Sequence, residues 1–232
     1  MGGTIALRLA EEGADVVLND RVGERTQPWE DKIRALGRDV VSVNGNVTKR
    51  ADAERFVAAA LERWRQVDLL VNSAGGFRGP SPNPIWEMSE DDWEVTMGNN
   101  TRGVFHCTQL VLPSMMERRT GKIVNIASTS WAGDGFLSHY SSSKAAVVAF
   151  TRSCANQLAP YNINVNAVAP GYTRSAVQAP GAFERFDTSN VPLGRANEPG
   201  DVADAVLFLL SDQARNISGQ LLTVAGGSNP SL

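Results

Sequence analysis

Hydrophobic positions recur in two rhythms along these 232 residues, and the rhythms take turns. Thr4 to Glu12 (TIALRLAEE) sets Ile5, Leu9 and neighbouring alanines on one side of a predicted helix, with Gly13 as its stop. Asp15 to Asn19 is a short apolar run that reads as a buried strand ending at Asp20. A second helix is expected over 28–36, closed by Gly37, and a second strand over Val40 to Val43. Ala51 to Trp64 repeats Phe56, Val57, Ala60, Leu61 and Trp64 at helical spacing. Leu69-Leu70-Val71 is the next strand, running into Asn72-Ser73-Ala74-Gly75-Gly76.

Residues 77–88 form a loop rich in Pro and Gly. Ser89 followed by Glu90, Asp91 and Asp92 reads as an N-cap with acids in the first turn, where they oppose the helix dipole. The helix it opens is expected to reach about Arg118, with an irregularity at Gly98 or Gly103. Lys122 to Ile126 is a strand, and a small-residue loop leads from it to a helix over about 139–158. Asn162 to Ala167 is a strand that leads into Pro170-Gly171. Asp201 to Leu210 is a helix and Gln220 to Val224 the last strand. Residues 172–195 show little periodicity, and a mobile substrate lid is expected there.

Strands alternating with helices at this spacing predict an α/β fold, a doubly wound parallel sheet covered by helices on both faces. No linker or internal repeat interrupts the pattern, so residues 1–232 are expected to form one domain. In such sheets ligands bind beyond the carboxyl ends of the strands.

Composition narrows the classes of function. A net charge of −3 with 20% charged residues supplies no basic face for nucleic acid or an anionic membrane. No apolar run is long enough to span a bilayer, and the first residues carry no signal-peptide pattern. Cys107 and Cys154 have no metal-type spacing, His106 and His139 are too sparse for a metal site, and a reducing cytosol is the expected compartment.

The chemistry converges on one stretch. Tyr140 and Lys144 stand four residues apart, on one face of the helix expected there. Taken alone, the pair reads most simply as a surface Tyr and Lys. A lysine cation near a phenol would favour phenolate, and a phenol tuned that way exchanges protons near neutral pH. Asp20, Asn72 to Gly75, Ser128 and Pro170-Gly171 all fall at the carboxyl ends of predicted strands, and together they line one edge.

With these motifs in view, the whole chain resembles the classical short-chain dehydrogenase/reductase family, a Rossmann-type fold. Tyr140-x-x-x-Lys144 matches the family's catalytic motif and Ser128 its serine, with the serine-to-tyrosine gap one residue short and Ser130 as the fallback. Asn100 matches its asparagine. Asn72-Ser-Ala74-Gly75 matches an Asn-Asn-Ala-Gly motif, and Pro170-Gly171-Tyr-Thr173-Arg-Ser175 the segment that contacts nicotinamide.

The resemblance implies an NAD(P)-dependent oxidoreductase that interconverts a secondary alcohol and a ketone. Ser128 would polarise the substrate oxygen and Tyr140 would be the acid/base. Lys144 would bond the cofactor ribose and lower the tyrosine pKa, and Asn100 would hold a water. Cofactor contacts are expected from Gly2, Asp20, Asn46, Val47, Asn72, Ala74, Gly75, Tyr140, Lys144, Pro170, Gly171, Thr173 and Ser175. Asp20 favours NAD over NADP, because a carboxylate bonds the ribose hydroxyls and repels a 2′-phosphate. Ser130, Trp131, His139 and Tyr172 are candidates for the substrate wall, and a dimer or tetramer is implied.

The N-terminal part departs from that pattern. Family members start with a strand and a Thr-Gly-x-x-x-Gly-x-Gly turn, whereas this sequence opens at Met1-Gly2-Gly3-Thr4, so only the last glycine has a counterpart. The strands ending at Asp20 and Val71 are therefore expected to lack a shared partner. Three explanations stand open: a missing true N-terminus, a native short form whose flanking strands pair directly or borrow a strand, and a non-catalytic interaction or regulatory protein.

Overall fold

In the computed structural model, residues 1–174 and 187–228 are described. The chain alternates as the pattern predicts. Helix α1 (Gly2–Glu11) is followed by strand β1 (Val16–Asp20), α2 (Gln27–Ala35), β2 (Val40–Asn44), α3 (Arg50–Trp64) and β3 (Leu69–Asn72). Then come α4 (Glu90–Met97), α5 (Gly103–Arg118), β4 (Gly121–Ile126), α6 (Ser138–Leu158), β5 (Ile163–Pro170), α7 (Pro199–Leu210) and β6 (Leu221–Val224). Every strand pair is parallel.

The strands form two sheets, β1-β2 and β3-β4-β5-β6, with no ladder joining β1 to β3. On β1, Val16 N–H donates to Asp39 and the Asp20 carbonyl accepts from Gly45. Because bonding direction alternates along a parallel strand, Val17 and Asn19 aim their N–H and C=O groups away from β2. Likewise Lys122 N–H donates to the Asp68 carbonyl, so Leu69 and Val71 aim theirs away from β4. None of these groups has a partner among the described residues. The sheet is split at the position expected from the sequence, and the alternative in which the flanking strands pair directly does not occur.

Helices clamp the split from both sides. Ile5 and Leu9 of α1 pack with Leu69, Val71 and Val124 of the larger sheet, while Ala6 and Ala10 pack with Leu18 and Val40 of the smaller. Across the other face, Ala53 and Phe56 of α3 share a cluster with Val43 of β2 and Leu70 of β3. The core of the larger sheet is strongest around β4 and β5, where Ile123, Val124, Val165, Ala167 and Val168 are fully buried.

The irregularity expected at Gly98 or Gly103 spans the whole interval between them. Gly98–Arg102 is a π-helical turn joining α4 to α5. Two side chains account for it by bonding carbonyls one turn back: Asn100 Nδ2 to Thr96 at 3.1 Å and Thr101 Oγ1 to Met97 at 2.6 Å. Ser89 caps α4 as its sequence suggested, its hydroxyl accepting from Asp92 N–H at 3.0 Å.

Candidate active site

The site is assembled at the carboxyl ends of β3, β4 and β5, against the start of α6 and the π turn. Asn100 is its keystone. Its Oδ1 accepts from Gly76 N–H at 2.9 Å, and its Nδ2 donates to the Gly76 carbonyl at 2.8 Å and the Ser143 hydroxyl at 2.9 Å. Ser143 in turn donates to the Tyr140 carbonyl at 2.7 Å. One buried amide thus ties the loop after β3 to the first turns of α6. Gly75 lies so close that a Cβ there would sit 2.3 Å from Asn100 Oδ1 and 3.5 Å from Lys144 Nζ.

Lys144 is buried, and its ammonium donates to the Ile126 carbonyl at 2.8 Å. That is its only hydrogen bond among the described residues, so an ammonium with three donors retains capacity for a further acceptor. Burial lowers its pKa to about 8. Its Nζ stands 5.6 Å from the centre of the Tyr140 ring, whose other neighbour, Phe77, meets it edge-on at 5.8 Å. For the Tyr140 phenol, burial is the largest influence and pushes the pKa up, the Ser128 hydroxyl works the other way, and the Asp134 charge adds to the rise. The depression expected from Lys144 is not found: burial of the phenol outweighs the opposing Ser128 hydroxyl. Ser128 follows β4, its Oγ accepting from Ser130 N–H at 3.2 Å.

The other expected cofactor contacts are spread along the same edge. Gly2 opens α1, where a Cβ would sit 3.4 Å from Ser73 Oγ, so the positive helix end faces the carboxyl end of β3. Asp20 ends β1, half-buried, accepting from Val22 N–H at 2.8 Å and facing Arg25 at 3.9 Å. Asn46 shapes the turn after β2 by accepting from Thr48 N–H at 3.0 Å, and the Val47 carbonyl meets His106 Nδ1 at 3.1 Å. Ala74 and Gly75 are exposed. Pro170 is the last residue of β5; Gly171 N–H donates to Val224 at 2.8 Å, and Thr173 Oγ1 to Gly171 at 2.9 Å. Ser175, and residues 175–186 of the expected lid, lie outside the described residues.

Two expectations need correcting. The Asn72 side chain does not face the edge: its Nδ2 donates to Asn125 Oδ1 at 2.8 Å and Thr108 Oγ1 at 3.2 Å, inside the protein. Only its backbone remains for a ligand. His139 is fully buried, with Nε2 at 3.0 Å from the Arg78 carbonyl, so it braces the 77–88 loop and does not line the substrate wall. Trp131 is half-buried and packs against Val104, Ala127 and Val147, whereas Ser130 and Tyr172 are half-buried. Sequence reading missed Thr108, Asn125, Ser143 and Thr151. A signal existed for Asn125, a lone amide in the otherwise apolar run Ile123–Ile126; it donates onward to Thr151 at 2.9 Å.

A family model described as enoyl-(acyl carrier protein) reductase matches residues 1–229. The chain is 38% identical over 229 residues to a (2S)-[(R)-hydroxy(phenyl)methyl]succinyl-CoA dehydrogenase subunit, BbsD, of Thauera aromatica, covering 98% of this chain and 91% of that one. It is 34% identical to the 3-oxoacyl-[acyl-carrier-protein] reductase FabG of Thermotoga maritima, covering 98% and 92%. This chain is a classical short-chain dehydrogenase/reductase.

Among solved structures, a 7α-hydroxysteroid dehydrogenase complexed with NADH and 7-oxo glycochenodeoxycholic acid superposes with a TM-score of 0.90 at 33% identity, covering 100% of this chain and 91% of that one. Membership makes the chain an NAD(P)-dependent oxidoreductase of Rossmann-type fold. A nicotinamide dinucleotide fits the residues present, since the Lys144 ammonium keeps buried donor capacity beside Gly75 and the α1 N-terminus meets the strand ends. Among the described residues no helix is long and apolar enough to cross a membrane.

Proposed function

We propose that this short-chain dehydrogenase/reductase interconverts a secondary alcohol and a ketone, with Tyr140 as the acid/base. The observation that carries the reading is the assembly of the half-buried Tyr140 with the buried Lys144 and Asn100 beside Ser128, at the edge where the fold receives ligands. The nicotinamide, when bound, supplies or accepts the hydride. Ser128 Oγ orients and polarises the substrate oxygen. Tyr140 gives that oxygen a proton in reduction and takes it back in oxidation. Burial holds the phenol pKa up, which keeps its proton in place at neutral pH and suits donation to a ketone. Lys144, its pKa near 8, stays mostly cationic at neutral pH and holds the ribose hydroxyls. Asn100 fixes the position of Tyr140 through Ser143.

NAD is the preferred cofactor, supported by the half-buried Asp20 carboxylate at the end of β1. Self-association through α4–α5, α6 and the β6 region is supported by the exposed Phe105 of α5 and Leu222 of β6. A reducing, cytosolic setting is supported by the free, buried Cys107 and Cys154.

The test is NADH oxidation with a broad panel of ketones, alongside direct titration of NADH fluorescence. Turnover that depends on Tyr140, with NADH favoured over NADPH, is expected. Tight NADH binding with no turnover of any ketone or alcohol would refute the reaction assignment.

A further inference from the structure

The ligand edge is carried by two sheets that share no ladder. Asp20 and the loop 45–49 belong to the smaller sheet, whereas Asn100, Ser128, Tyr140 and Lys144 belong to the larger one and its helices. The residues that fit a nicotinamide dinucleotide are therefore divided. A grip on both of its halves depends on how well the distance between the sheets is fixed. Apolar packing under α1 and α3 clamps them, but apolar attraction is non-directional, whereas a hydrogen bond sets both distance and direction.

One side chain bridges the two parts directly at that edge. His106, buried on α5, sets its Nδ1 3.1 Å from the Val47 carbonyl. A carbonyl only accepts, so the ring donates its Nδ1–H. Among the described residues this is the one hydrogen bond that joins residues 15–49 to residues 65–228. The other polar ties from 44–49 to the rest of the chain run to α3: Asn46 N–H donates to Asp52 at 2.8 Å, and Arg55 donates to the Asn44 carbonyl at 3.1 Å. Val47 also leans on Gly103, one turn before His106, where a Cβ would collide with Val47 Cγ2. Gly103 and His106 thus form a seat for the loop on the helix that continues from the π turn of Asn100.

We propose that His106 is a positioning residue for the dinucleotide: its bond to Val47 holds the Asp20 side of the site at one distance from the Lys144 side. The two half-sites then act as linked binding modules. A fixed span raises the effective concentration of the second half once the first is bound. The inference rests on the cofactor reading, with Asp20 on the adenosine side, and not on the reaction assigned to Tyr140.

The test measures binding, by fluorescence for NADH and by saturation-transfer NMR for its halves, AMP and reduced nicotinamide mononucleotide. In His106→Ala the Kd for NADH should rise about tenfold, while the Kd of each half stays within about twofold of wild type. His106→Asn, whose amide nitrogen occupies the place of Nδ1, should restore NADH affinity. Equal NADH affinity in wild type and His106→Ala overturns the inference, as does a loss that His106→Asn leaves in place. An equal loss for NADH and either half also overturns it, since His106 would then shape one half-site and not the span. A wild type that binds no NADH overturns the cofactor reading together with the inference.

Discussion

Replacing Asn100 by alanine removes the side chain that fastens Gly76, at the start of the loop after β3, to α6, and the structure lets the cost be worked out. The Gly76 N–H and C=O both lose their partner, at present 2.9 and 2.8 Å away. Ser143 keeps its bond to the Tyr140 carbonyl, so it adds little. An unsatisfied buried polar group costs about 1–3 kcal/mol. Two such groups give about 2–6 kcal/mol, and Gly76 is only half-buried, so water recovers part and about 2–4 kcal/mol is expected. That is a large share of a total of about 5–15 kcal/mol. Urea unfolding followed by far-UV circular dichroism checks it: the midpoint should fall with the slope unchanged. A loss below about 1 kcal/mol would refute the keystone role, because it would mean the two Gly76 groups find other partners at no cost.

Other expected outcomes follow from the same geometry. Gly75→Ala would drive a methyl to within 2.3 Å of Asn100 Oδ1, so it should destabilise by about 1–3 kcal/mol and lower NADH affinity; thermal melts and NADH titration at wild-type levels would contradict this. Burial lowers the Lys144 pKa to about 8, so between about pH 8 and its ordinary value of about 10.4 the unfolded chain binds the extra proton. Stability of the cofactor-free wild type should therefore rise across that window relative to Lys144→Met, by about 3 kcal/mol in total. Comparing the pair cancels the opposite slope from Cys107, whose thiol burial pushes up to about 11, and a pH-independent difference would count against the buried cation. Amides of Val17, Asn19, Leu69 and Val71 should exchange with solvent far faster than those of the fully buried β5 residues Val165 and Ala167. Equal protection at the two places, measured by hydrogen exchange and NMR, would mean that the two sheets are joined.

The order of elements was legible because parallel strands buried on both faces are short apolar runs, and the helices between them carry three-to-four spacing and glycine stops. Boundaries of β1 and α6 came out within a residue or two for that reason. The residues of the site were legible as types at strand ends, since ligand groups must sit where the backbone leaves the sheet. Side-chain direction was not. Asn72 sits in a motif at a strand end, yet its amide turns inward to Asn125 and Thr108, because a buried amide gains more from internal partners than from an open edge. His139 is adjacent to Tyr140 in sequence but is fully buried and turned onto the Arg78 carbonyl. The sign of the Tyr140 shift was also hidden, since it depends on how much water the fold removes from the phenol, and spacing alone says nothing of that. The split sheet was foreseeable from the motif pattern, whereas the clamp by α1 and α3 required the packing.

The central claim is that Tyr140 moves the proton, and one measurement addresses it directly. Ketone reduction by NADH is followed at neutral pH in the wild type and in Tyr140→Phe, with NADH affinity measured for both. Losing a general acid costs about a hundred- to ten-thousandfold in rate, so kcat should fall by that order while NADH affinity and unfolding midpoint stay near wild type. Retention of kcat within about threefold, far short of the loss of a general acid, would contradict the account.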